Sequence, residues 1–345
     1  MKTRIQFWLG TLISIFLLYV VVRNIPLKNL ATVISEIDPL WLAVAIFFQF
    51  LALFLRAIRW LAMLKPEGSL KEAFYAQNIG YLFNNVFPMR VGELARIFVI
   101  SKSCGISIIR ATTSVFLERI LDVIMVSIGL LIVLSQIAVP EQYVLIARSL
   151  VWLIILFLIM FTLFIRFHWT IERVFRRITA RSSKRIRVVV LTLWRQVRNS
   201  IKVFSNPKIA LPLLTWFFIS WCFSVALYWC VMRAFVPNPT VLEAIFIVSV
   251  LALSFTVPSS PGYIGVFQFV GQQALVIPFG SKYSPVSALA IALTVHAIFY
   301  ITTSLLGIIG ISRFGISVTG LRAAISEVPV ETEYRVQSID PGTSP

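Results

Sequence analysis

PLWLAVAIFFQFLALFLRAIRWLAM, residues 39–63, runs for twenty-five residues with only two charges, Arg56 and Arg59. About 20 consecutive apolar residues suffice to cross the hydrocarbon core of a bilayer as a helix. The rest of the chain is written in the same style. Of its 345 residues, 59% are hydrophobic and 13% charged, and the mean hydropathy is +0.90. A soluble domain runs near half apolar and about a quarter charged, so a soluble core of this size would need neither so much apolar surface nor so little charge. The composition excludes a secreted disulfide scaffold, a disordered chain and a nucleic-acid-binding module. The apolar segments are long and unbroken rather than ten-residue alternating strands. The expectation is an all-α polytopic integral membrane protein of about eight transmembrane helices.

Working outward from residues 39–63, apolar runs cover Ile5–Val22, Thr112–Val139, Ser149–Ile165, Ile209–Met232, Ala244–Val257 and Ser284–Ser312. The first run resembles a signal peptide, but Arg23-Asn24-Ile25-Pro26 follows in place of a small-x-small cleavage site, so a retained helix is expected. From Arg166 to Lys208 there are twelve Lys/Arg against one acid, Glu172. A basic stretch between apolar spans marks the cytoplasmic side and attracts anionic lipid. Within it Ile186, Val190, Leu193, Val197, Ile201 and Phe204 recur at three and four residues, the spacing of an amphipathic surface helix. The loop Pro140-Glu141-Gln142-Tyr143 has no Lys or Arg and belongs outside. Both termini are therefore expected in the cytoplasm of a multi-pass cell-membrane protein. Residues 1–313 form the membrane domain, and 314–345 a polar, disordered tail. An even number of crossings requires residues 262–279 either to cross or to form part of a re-entrant hairpin.

Two segments break the pattern of plain spans. They are NIGYLFNNVFPMRVGE, residues 78–93, and SFTVPSSPGYIGVFQ, residues 254–268. Each has a short apolar piece, a proline, three residues and a glycine (Pro88 to Gly92, Pro258 to Gly262) before a new helical stretch. Proline removes a backbone donor and glycine frees the chain, so helices break there. Broken backbone at membrane depth is tolerated only inside protein or against water. Such breaks in both halves of a chain point to a transporter's binding site.

Eight charges lie in otherwise apolar chain: Arg56, Arg59, Arg90, Glu93, Arg96, Glu118, Arg119 and Asp122. Near mid-membrane each costs roughly 2.5–3.5 kcal/mol on insertion scales. Glu118 and Asp122 are four apart and share a helix face, so an arginine from another helix is expected against them. Arg56 and Arg59 sit near a span end, where snorkelling to the interface is the competing explanation. Arg90 and Glu93 directly follow a break, where free backbone donors and a guanidinium can grip a phosphate. His296 and Tyr300, one turn apart, read as a packed polar pair rather than a proton relay. Three cysteines without metal spacing give no disulfide framework and no zinc site.

The order Arg56-x-x-Arg59-Trp60, Asn84-x3-Pro88-x-Arg90-x-Gly92-Glu93-x2-Arg96, Glu118-Arg119-x2-Asp122, Pro258-x2-Pro261-Gly262-x2-Gly265 resembles the flippase-like membrane domain of lysylphosphatidylglycerol synthases and their stand-alone relatives. The likeness runs from the first span to about Arg313. It implies a helical, polytopic fold with re-entrant elements and a role in moving phospholipids or lipid-linked groups between leaflets. Gln268 stands where that family often has a glutamate. Only some thirty polar residues follow Arg313, so aminoacyl transfer is not expected.

The leading expectation is a lipid translocase without bound cofactor, acting on an anionic phospholipid or lipid-linked head group. Its site would draw on Arg56, Arg59, Asn84, Arg90, Glu93, Arg96, Glu118, Arg119, Asp122, Pro258, Gly262, Gly265 and Gln268. No nucleotide-binding motif is present, so movement would run downhill or be coupled to an ion. Two other classes remain open on the sequence: a membrane-embedded transferase with Glu118 or Asp122 as base, and a non-transporting envelope scaffold.

Overall fold

The computed structural model describes residues 2–23, 25–64, 67–87, 90–136, 141–181, 206–255 and 260–315, with isolated residues between 183 and 198. Pro88, Pro258, Ile186, Ile201, Phe204 and residues 316–345, which the sequence reading invoked, lie outside the described residues.

The described residues are helical throughout their regular structure. In chain order the helices are α1 (Lys2–Arg23), α2 (Leu27–Ser35), α3 (Pro39–Leu64), α4 (Leu70–Val86), α5 (Val91–Cys104), α6 (Ile108–Leu134), α7 (Glu141–Ile178), α8 (Pro207–Phe235), α9 (Val241–Ser254), α10 (Val266–Phe279) and α11 (Pro285–Phe314). Polar residues set where they start. Ser107 accepts from the Arg110 amide at 3.2 Å, Asn206 from Lys208 at 3.1 Å and Ser284 from Ser287 at 3.1 Å. Thr240 and Glu243 form a reciprocal capping box. Pro207 and Pro285 occupy first-turn positions, where a missing amide hydrogen costs nothing.

By length and apolarity, α3, α8 and α11 are each able to span a membrane. The helix from Thr11 to Arg23 and that from Lys28 to Ser35 meet at 85° and would together make a fourth candidate. Helix α2 had no counterpart in the expected spans, because nine residues are too few to register as an apolar run. Helix α7 continues beyond its expected span, but Phe167 leaves helical geometry (φ −107°, ψ 15°) two residues after that span ends. Beyond the kink, Glu172 takes ion pairs from Arg176 and Arg198, and Trp194 is buried against Phe175 at 5.2 Å. The described part of the basic segment thus folds back on the end of α7.

Each break separates two short helices that double back on each other, α4 with α5 and α9 with α10. With 17, 14, 14 and 14 residues, these are about 21–25 Å long, short of the roughly 30 Å hydrocarbon core. The feet of each hairpin are tied together. Glu67, just before α4, pairs with Arg110 at the start of α6 at 2.5 Å. Lys282, after α10, reaches Glu243 at the start of α9 and the Asn238 carbonyl, at 2.9 and 2.8 Å. Close approach within the first hairpin depends on Gly92, where a Cβ would lie 1.8 Å from the Gly80 carbonyl oxygen. Many large apolar side chains stay exposed, among them Leu12, Phe16, Phe47, Phe116, Phe218 and Leu305, as a lipid-facing surface requires.

Candidate functional site

The two breaks meet. A Cβ on Gly262 would lie 3.2 Å from the Asn85 carbonyl oxygen, and the Arg90 guanidinium stands 6.0 Å from the Tyr263 ring centre. Both turns use left-handed backbone. Arg90 (φ 55°) and Tyr263 (φ 60°) adopt it beside Gly262 (φ 66°) and Gly265 (φ 92°). A side chain there costs about 1–2 kcal/mol, so Arg90 is held where a glycine would be easier.

Side chains replace the backbone partners that the breaks remove. The Gly92 amide donates to Asn84 Oδ1 at 2.9 Å, so Asn84 caps α5. Asn85 donates to Thr303 and Ser304 of α11 at 3.1 and 3.0 Å. In the second break the Gly265 amide donates to Gln268 Oε1 at 2.7 Å and the Ser260 amide to Ser14 Oγ of α1 at 2.9 Å. Gln268 Nε2 faces His296 Nδ1 at 2.8 Å, and His296 Nε2 faces the Gly262 carbonyl at 2.8 Å. Because the Gln268 oxygen is already held by an amide, its nitrogen must donate, so Nδ1 accepts and Nε2–H donates to Gly262. His296 is therefore a neutral strut under the second break. Its edge-on contact with Tyr300 at 6.0 Å agrees with a packed pair.

Behind the first break, three carboxylates and three arginines interlock. Glu118, fully buried, receives Arg59 at 3.0 Å, Arg96 at 2.9 Å and Arg119 at 3.0 Å. Asp122 receives Arg59 at 3.0 Å and Arg119 at 3.5 Å, while Trp221 donates to it at 3.3 Å. Glu93 receives Arg96 at 2.6 Å and Arg119 at 3.8 Å. The arginine expected against the Glu118–Asp122 face is Arg59 of α3. It is 2% exposed and lies 4.1 Å from the Phe217 ring centre, so it does not snorkel.

In front of this network is a cavity of about 130 Å³. Arg56, Asn84, Arg90, Glu93 and Arg119 line it, five of the residues the sequence singled out. Arg59, Arg96, Glu118 and Asp122 stand behind the wall, and Gly262, Gly265 and Gln268 shape the second break without lining the cavity. Among the described residues, Arg56 is within hydrogen-bond range of two hydroxyls, Tyr81 at 3.4 Å and Ser224 at 3.3 Å. Neither Arg56 nor Arg90 has a carboxylate at ion-pair distance among the described residues, and both face the cavity. Apolar lining comes from Leu227, Val248, Ala252, Phe255 and Phe299.

Sequence reading did not single out Gln49, Tyr81, Trp221, Ser224, Tyr228 or Tyr263, which also line the cavity. Gln49 had a usable signal: it is the one uncharged polar side chain in residues 39–63 apart from tryptophan and lies two turns from Arg56 on the same face. Tyr81 and Tyr263 lie inside the two broken segments. No curated protein matches the chain. The family model of the lysylphosphatidylglycerol synthase TM region matches residues 7–307. That match takes in both broken hairpins and all eight intramembrane charges, and the chain belongs to this family.

Proposed function

We propose that this protein is a lipid translocase that carries an anionic head group across the membrane in the cavity between the two breaks, without covalent change to the lipid. The observation that supports this reading is a cavity lined both by two arginines without a carboxylate at ion-pair distance among the described residues and by apolar side chains. A phosphate with its acyl chains offers the matching chemistry. Arg56 and Arg90 attract the head group. Glu93 keeps Arg96 and Arg119 partly neutralised, which weakens the grip enough for release.

The proposed topology has eight membrane elements. Six helices cross (α1, α3, α6, α7, α8 and α11), and two re-entrant hairpins, α4–α5 and α9–α10, enter from opposite sides. The tied feet of each hairpin and the shortness of its helices support this arrangement. Six crossings return the chain to its starting side, with both termini and the basic segment cytoplasmic under the positive-inside rule. Helices restarting at the cavity present their N-terminal ends to it, which favours an anion. The membrane lipids are the only partners this activity requires.

Purified protein in liposomes, with labelled anionic lipid followed for both leaflet exchange and chemical change, tests the reading. Exchange without a new product is the expected result. A new product, or no exchange with well-folded protein, refutes it.

A further inference from the structure

The charges around the cavity do not balance. Five arginines (Arg56, Arg59, Arg90, Arg96, Arg119) face three carboxylates (Glu93, Glu118, Asp122), leaving 5 − 3 = +2. Three further acids at helix ends are engaged elsewhere: Glu67 by Arg110, Glu172 by Arg176 and Arg198, and Glu243 by Lys282 and Tyr283. The residues of the breaks outside the described set, Pro88, Met89 and Thr256 to Ser259, have no ionisable side chain and cannot change the sum. Arginine keeps its proton in proteins, so the excess cannot be removed by titration. The phenols of Tyr81, Tyr228 and Tyr263 also border the cavity, and the one nearby imidazole, His296, is turned to Gln268 and Gly262.

Two guanidinium groups in a membrane-embedded cavity therefore lack counter-charge. A zwitterionic head group leaves both unbalanced and a phosphodiester leaves one. A terminal phosphate, which carries close to two negative charges above its second pKa of about 6, balances both. Three terminal oxygens also give two arginines separate acceptors, where a diester offers two free oxygens in all. The apolar lining residues Leu227, Val248, Ala252, Phe255 and Phe299 suit hydrocarbon as the remainder of the ligand. We infer that the site is matched to a lipid phosphomonoester rather than to a phosphodiester or zwitterionic phospholipid. The inference rests on the proposed head-group site and specifies its ligand.

The test uses the full-length protein in nanodiscs of phosphatidylcholine at pH 8. Binding is measured for phosphatidic acid, for phosphatidylmethanol (the same phosphate with one oxygen capped by methyl), for phosphatidylglycerol and for inorganic phosphate. Phosphatidic acid should bind at least tenfold more tightly than either diester, and inorganic phosphate should compete only weakly. Arg56→Gln lowers the excess to one charge, so the preference for phosphatidic acid over phosphatidylmethanol should fall below about threefold. Equal binding of the monoester and both diesters to the wild-type protein overturns the inference while leaving an anionic-lipid site standing. Inorganic phosphate competing as well as phosphatidic acid overturns the lipid assignment. If no anionic lipid binds to folded protein, the head-group site itself fails.

Discussion

Replacing Glu118 by glutamine removes one charge and little else, and the structure makes the cost calculable. Glu118 is fully buried and takes guanidinium groups from α3, α5 and α6, so three helices share one carboxylate. Its Oε1 accepts from Arg59 and Arg119, and its Oε2 from Arg96. A glutamine oxygen can replace one of these atoms. The amide nitrogen then faces guanidinium donors; with the oxygen kept at the position that serves both Arg59 and Arg119, Arg96 loses its contact. Breaking a buried ion pair from one side costs about 3–5 kcal/mol, because a desolvated charge is left behind. At roughly 2 °C of melting temperature per kcal/mol for large domains, Glu118→Gln should melt about 6–10 °C below the wild type. Fluorescence-detected size exclusion after heating in detergent measures this. Adding Arg96→Met removes the stranded donor and should restore at least half of the loss, a coupling that a double-mutant cycle reads directly. Leaflet exchange measured on the same four proteins separates roles: a frame residue regains transport when stability returns. A Glu118→Gln protein that melts within 1 °C of the wild type, or strictly additive single effects, would refute the network as the frame of this site.

Arg90 gives the opposite pattern, since it has no carboxylate to strand. Arg90→Gly should abolish exchange yet leave the melting temperature unchanged or slightly higher, because glycine relieves about 1 kcal/mol at φ 55°; a large fall in melting temperature would make Arg90 structural. Gly92→Ala should fail to accumulate as folded protein because its Cβ would meet the Gly80 carbonyl at 1.8 Å, whereas Gly105→Ala, with open space around it, should lose only about 1 kcal/mol in the same melting assay. Gln268→Glu replaces a donor facing His296 Nδ1 with an acceptor, so both ring nitrogens would need a proton to keep their partners. That variant should gain stability from pH 8 to pH 5, whereas the wild type, whose folded His296 stays neutral while the unfolded imidazole protonates, should lose some; the same pH profile in both proteins would disprove the assigned tautomer. Cysteines placed at Glu72 and Lys102 in a cysteine-free background should both label from the cytoplasmic side, and opposite labelling would show that α4 and α5 together cross.

Much of this was legible in the residues, for physical reasons. Charges in apolar sequence are so costly that all eight intramembrane ionisable residues stood out, and all eight either line the cavity or brace it. The helix breaks were visible because proline and glycine act locally. What sequence could not supply is pairing between helices. The expected arginine partner of Glu118 and Asp122 was predicted as a type, but only packing selects Arg59 over Arg56, three residues away on the same helix. Asn84, Gly265 and Gln268 looked like ligand residues. Asn84 and Gln268 accept from the Gly92 and Gly265 amides that the breaks expose, and Asn84 also lines the cavity; which side chain meets which left-over donor is set by packing. The cavity tyrosines were hidden by abundance, since phenols near span ends ordinarily serve as interfacial anchors.

The arginines thus divide by partner rather than by position. Arg59, Arg96 and Arg119 are held by carboxylates and fix α3, α5 and α6 relative to one another. Arg56 and Arg90 are held by hydroxyl and aromatic neighbours, which leave their charge unneutralised. A buried charge with a carboxylate partner is a poor anion receptor, because a ligand must displace or outbid that partner. Arg56 and Arg90, half-buried and without a carboxylate at ion-pair distance among the described residues, are free to meet an anion. Placing the two kinds side by side lets the paired set hold the unpaired set rigidly at the meeting point of the breaks. Stability and ligand selectivity are then separable by mutation, even though the same residue type supplies both.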